Sequence, residues 1–285
     1  YHQALATLKD FEFQTIYHSV PASKDMFNMF RRCKAIIHAR DSLGVLHYFS
    51  GEYEKSLEHL ERAGSLIERV RRVTDNPEYN MYFKLDYDFY NGIGYCETLT
   101  GAVYAELGQF DKAKQYFSIG QEAFKEGKRH FGELFNKSLK LRAELKSPGM
   151  DIDGKKIKEY EDFLNDVDKL GATEILWRFC YEIGRELIKE KKYPAAREYL
   201  ARAVETLELT RSRLREDTVK RTFAASVQDV YSGMINLLFD MHEIEEGFDY
   251  LERSKARAFL DVLAGRSLKA KKTLDSGLVE KEKET

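Results

Sequence analysis

The 285-residue chain is 43% hydrophobic and 33% charged, and its 46 Lys and Arg face 48 Asp and Glu for a net charge of −2. That composition supports a sizeable core or a stack of helical pairs, and it excludes a disordered chain. The near-balance of charge argues against nucleic-acid binding, which needs a clear basic excess.

Only four prolines interrupt the chain, alternating Val/Ile/Thr runs are few, and Glu, Lys, Leu, Ala and Arg dominate, as helices prefer. The N-terminus reads YHQALATLKDFEF, with neither Met nor a signal-peptide pattern, and is expected to be a processed edge. Residues 1–18 read as a lone second helix whose partner is missing, and residues 25–49 as the first helix of a pair. Around 37–70, Leu43, Gly44, Gly51, Tyr53, Leu60 and Ala63 fall on a helix-turn-helix register. A small residue on each helix (Gly44, Ser56) lets the pair approach closely, and Gly51 ends the first helix in a left-handed conformation. Residues 69–93 are expected to lengthen the neighbouring helices around a turn near Asn76–Pro77. Their Tyr79, Tyr82, Phe83, Asp86, Tyr87, Asp88 and Tyr90 fit an inter-helix face better than a recognition surface. The register returns at 94–127 with Gly101, Tyr104, Gly108, Phe110, Ala113, Phe117 and Gly120.

Residues 130–170 read as a degenerate pair flanking KSPGMDIDG, the best turn signal in the chain. Asp151 and Asp153 in that loop lack the further ligands of a calcium site, so a turn is the better reading. The register recurs at 177–210 with Ile183, Gly184, Leu187, Tyr193, Ala196, Leu200 and Ala203, and more loosely at 228–261 with Leu238, Ile244, Gly247 and Leu251. This is the pattern of the tetratricopeptide repeat, with its turns spaced more widely than the regular repeat of about 34 residues. The expected fold is therefore all-α, a right-handed superhelix of about eleven helices over residues 1–265, followed by a charged tail or linker at 266–285.

Residues 205–265 carry a more specific string. Arg211, Ser212, Leu214, Phe223, Val230 and Tyr231 precede Glu252 to Arg257, Asp261, Leu263 and Ala264. This resembles the last repeat of bacterial proteins in which tetratricopeptide repeats precede a CHAT domain, a caspase-like protease fold. The resemblance implies a repeat segment that senses or scaffolds, with any protease activity in a downstream domain that these residues do not include. Cys33, Cys96 and Cys180 lie in repeat helices, give no disulfide or zinc spacing, and take no nucleophile role. A reducing, cytoplasmic setting is the simple reading.

In such repeats the first helices line a concave groove. Arg178, Tyr181, Arg185 and Lys189 share one helical face, and with Tyr95 and Asn236 they are the candidate partner-binding residues. A cationic stripe could clamp an acidic or carboxylate group, although charge stripes are more often solvated faces with local pairs. Glu252, Arg253, Lys255 and Arg257 read equally well as solvated charges or as a docking edge for an effector. His242-Glu243 opens like a zinc-protease HExxH, but Glu246 stands where the second histidine belongs. No metal site, cofactor, phosphate loop or nucleophile elbow is legible, so the segment is not expected to be an enzyme. No apolar run reaches the length of a membrane span. The leading expectation is a scaffold or sensor for a protein or peptide partner. One alternative is a stand-alone bacterial repeat regulator that binds a short signalling peptide; another is a piece of an enzyme whose activity lies beyond residue 285.

Overall fold

The computed structural model describes residues 23–74, 87–213 and 217–256. The described residues are helices joined by short turns, without a strand among them. The helices are α1 (Ser23–Phe49), α2 (Tyr53–Thr74), α3 (Tyr87–Glu106), α4 (Phe110–Glu126), α5 (His130–Leu145), α6 (Gly154–Lys169), α7 (Thr173–Lys189), α8 (Tyr193–Arg213), α9 (Asp217–Asp240) and α10 (residues 244–256). The fold is all-α, as the sequence predicts. The expected helix at 1–18, the turn near Asn76–Pro77 and the tail at 266–285 lie outside the described residues.

The chain divides into two compact units, Tyr1–Asp151 and Ile152–Thr285. The division falls in the loop that carries the strongest turn signal. In the first unit each helix packs on the next, and α3 also touches α1 and α5. In the second unit α6 packs on α7, α7 on α8 and α8 on α9, while α9 returns to α7. First helices of successive pairs therefore contact one another within a unit, as stacked hairpins require.

One backbone device closes six of the turns. At α1–α2, Gly51 has φ +74°; its N–H donates to Tyr48 O at 3.1 Å, and the Glu52 N–H donates to His47 O at 2.9 Å. These bonds satisfy carbonyls that the helix end leaves orphaned. The same pair of bonds recurs around Gly108, Lys128, Gly171, Lys191 and His242, all with positive φ. In each case the next helix begins two residues later. His242 thus occupies the turn expected for it, at φ 62°.

The helix pairs then close on small residues. A Cβ on Gly44 would lie 2.7 Å from Leu60, and one on Gly184 would lie 2.8 Å from Leu200. A Cβ on Gly101 would lie 3.0 Å from the Ala113 carbonyl and 3.2 Å from Phe117. Ser56, buried at the same interface as Gly44, donates its hydroxyl to Gly44 O at 2.8 Å. The last pair inverts the arrangement: Ile235 replaces the first-helix glycine, and Gly247 of α10 receives the Phe239 ring, 2.5 Å from where a Cβ would stand.

Between α3, α4 and α5, Phe124 is fully buried against two backbones, because Gly94 and Gly132 both leave room for its ring. Burying a side chain of this size contributes about 2–3 kcal/mol. Next to it, Asn136 Nδ2 donates to Thr98 Oγ1 at 2.6 Å and to Phe117 O at 3.0 Å. Gly120 makes room for that polar contact, since its Cβ would stand 2.5 Å from Thr98 Oγ1. In the second unit, Asp153 caps α6 by accepting the Lys156 N–H at 2.7 Å, so its role here is a helix cap.

Candidate interaction face

The sequence-predicted stripe lies on α7, whose core side buries Trp177, Phe179, Ile183 and Leu187. The opposite side carries the charges. Arg178 Nη2 meets Glu174 Oε1 at 2.7 Å, and its guanidinium lies 4.3 Å from the centre of the Trp177 ring. Arg185 stands 5.6 Å from the Tyr181 ring centre and 3.9 Å from Glu182. Lys189 Nζ donates to both Glu186 oxygens at 2.8 Å. Each cation therefore has a carboxylate on its own helix, three or four residues earlier. Pairs of this kind are weak, about 0.3–0.5 kcal/mol, so a stronger partner can exchange for them.

Tyr181 anchors the stripe to its neighbour. Its ring sits against α9, where a Cβ on Gly233 would lie 3.2 Å away. Burial pushes its hydroxyl above the usual phenol range, and Arg185 opposes that rise. Asn236, on α9, is exposed. Tyr95 belongs to the first unit; it is half-buried, edge-on to Phe124 at 5.1 Å and tilted against Phe135 at 5.5 Å. The structure thus brings Arg178, Tyr181, Arg185 and Lys189 onto one face of α7, with α9 beside Tyr181. It places Tyr95 in the other unit as a packing residue.

No family model and no curated protein matches this chain.

The proposed effector edge divides. Glu252 and Lys255 form a local exposed pair at 3.0 Å. Arg253 instead reaches Glu208 of α8 at 3.3 Å and lies 4.9 Å from the Tyr250 ring centre. The buried Tyr231 of α9 donates its hydroxyl to the same Glu208 oxygen. Glu246 of α10 pairs with Arg197 of α8. Arg253 is thus an attachment point that holds α10 to the preceding helices. Arg257 lies outside the described residues.

Sequence reasoning missed two further clusters. Glu106, at the end of α3, accepts from Tyr48 of α1 at 3.3 Å and from Lys146, just after α5, at 2.6 Å. His47 and His59 stack with ring centres 5.3 Å apart. Both clusters join residues from different helices, so no local spacing announces them. The described cysteines are free and buried, and burial pushes Cys33 up to about 11 and Cys180 up to about 12. Such thiols stay protonated at neutral pH. Among the described residues, no helix is long and apolar enough to cross a membrane.

Proposed function

We propose that this chain is a protein-interaction module, a tetratricopeptide-type right-handed superhelix that scaffolds or senses a peptide or protein partner. The observation that carries the reading is the α7 face, where Arg178 and Arg185 lie against the Trp177 and Tyr181 rings and the Tyr181 ring meets α9. Aromatic-backed arginines contribute strongly when an interface closes over them. Their intrahelical pairs keep them soluble while free and exchangeable when bound. The resemblance at residues 205–265 supports a place upstream of a caspase-like effector. Three free buried thiols suit a reducing, cytoplasmic compartment.

The test is a random peptide array probed with the whole chain and with a Tyr181→Ala/Arg185→Glu variant whose circular dichroism matches the wild type. The reading expects a reproducible set of peptides bound by the wild type and lost in the variant. Absence of any bound set, or a set unchanged in the variant, overturns it.

A further inference from the structure

The α1–α2 hairpin holds a cluster of ionisable groups that the interaction face does not use. Arg40 and His47 come from α1, and His59 from α2. The two imidazoles stack in parallel, 4° from coplanar orientation, with centres 5.3 Å apart. His47 Nδ1 lies 2.6 Å from Glu52 Oε2, so His47 donates there to a carboxylate. Arg40 Nη1 lies 3.0 Å from His59 Nδ1. A guanidinium has only donors, so His59 Nδ1 must be the acceptor, and His59 is the neutral tautomer protonated on Nε2.

We infer that this cluster is an acid-sensitive clasp: protonation of His59 at Nδ1 removes the acceptor that Arg40 uses and loosens the hold of α2 on α1. The atoms decide the direction. A proton on Nδ1 sets two N–H donors face to face and adds a positive charge beside Arg40, Arg62 and the His47 ring. Glu58, on α2, opposes that accumulation at His59; Glu52 is engaged by His47 and by Lys55 at 2.6 Å. On α3, which packs against both helices, Glu97 is offset by Arg71. The buried Asp41 of α1 responds in the opposite sense, since acid keeps it in its neutral form. Lys55 and His47 hold Glu52 below its ordinary value of 4.5, so its contribution is lost only below that pH, and an opening above pH 4.5 belongs to His59. Partial burial together with Arg40 holds His59 below the usual imidazole range, so the clasp stays shut at neutral pH.

The test uses the whole chain. The His59 Cε1 proton is followed by NMR between pH 8 and pH 4.5, together with amide hydrogen exchange of α1, α2, α7 and α8. His59 is expected to titrate below about 6.5. Exchange in α1 and α2, corrected for the intrinsic rate, is expected to rise by up to about tenfold per pH unit as pH falls from about 6.5 to that midpoint and to level off below it, because only in that window does opening take up a proton. Exchange in α7 and α8 should not follow the same midpoint. His59→Gln, whose side-chain oxygen can still accept from Arg40, should remove the acid response. Arg40→Gln, should His59→Gln fail to fold, must raise the His59 midpoint. A hairpin whose exchange ignores pH both in the wild type and in Asp41→Asn, where the opposing response is removed, overturns the inference. So does an acid response that survives in His59→Gln, or a midpoint that Arg40→Gln leaves in place.

Discussion

At the scale of single residues, Asp41 of the first unit is buried with little to compensate its charge. Asp41 is 5% exposed, and neither carboxylate oxygen has a hydrogen-bond partner. Burial raises its folded pKa well above the ordinary value, and the neighbouring Cys96 thiol only partly opposes this. The native state therefore keeps a proton that the unfolded chain loses near pH 3.9. The associated stability is fully present below that pH and declines as pH rises toward the folded value. Asp41→Asn is expected to flatten that decline, seen as urea midpoints that differ less between pH 5 and pH 8 than those of the wild type. The Phe124 cradle makes a second residue-scale prediction. Gly132→Ala places a Cβ 2.3 Å from the ring, which should cost about 1–3 kcal/mol in urea denaturation. Combining it with Phe124→Leu should cost less than the sum of the two single changes, because the smaller side chain vacates the contested space.

Elements were legible where local chemistry repeats. Gly51 and Gly108 announce their turns directly, and Gly44, Gly101 and Gly184 announce the close approaches. Lys191 and His242 adopt the same left-handed conformation without being glycine, and their turns could be placed only from the small and aromatic residues around them. The left-handed conformation costs an ordinary residue about 1–2 kcal/mol, of which the added freedom of an unfolded glycine returns part. Lys191→Gly and His242→Gly are each expected to stabilise by about 0.5–1 kcal/mol, measured as a higher urea midpoint. The charge partners on α7 were legible too, since Glu174, Glu182 and Glu186 precede their cations on the same helix. The contacts of Glu208 were not, because Tyr231 and Arg253 come from other helices and no short-range pattern links them. Glu208→Gln should loosen α10 specifically, read as faster amide exchange in residues 244–256 with α7 unchanged.

For the molecule as a whole, stability should be organised by neighbourhood. Each described helix packs mainly on those next to it or one further along, within its own compact unit. In such stacks the energy is close to a sum of repeat and nearest-neighbour terms. Gly132→Ala is therefore expected to speed amide exchange in α3 to α5 and to leave α7 and α8 at wild-type protection. Equal acceleration in both units would show that the chain unfolds as one block. The all-α class follows from composition and helical periodicity, but the division at residue 151 does not. Helical pairs with the same turn stand on both sides of it, and a turn signal alone does not tell a tight joint from a boundary between units.

The six turns with the shared hydrogen-bond pair are built from main-chain atoms, and each hands the chain to the next helix after the same two-residue step. The preceding and following helices differ in length, yet the joint is the same. Such a joint works like a standard coupling between pipes of different lengths: whole turns of helix can be gained or lost on either side without redesigning the corner. A lineage using it can vary the span and spacing of its side-chain rows while keeping every bend, and an engineer could exchange hairpins at these positions by matching only the residue with positive φ.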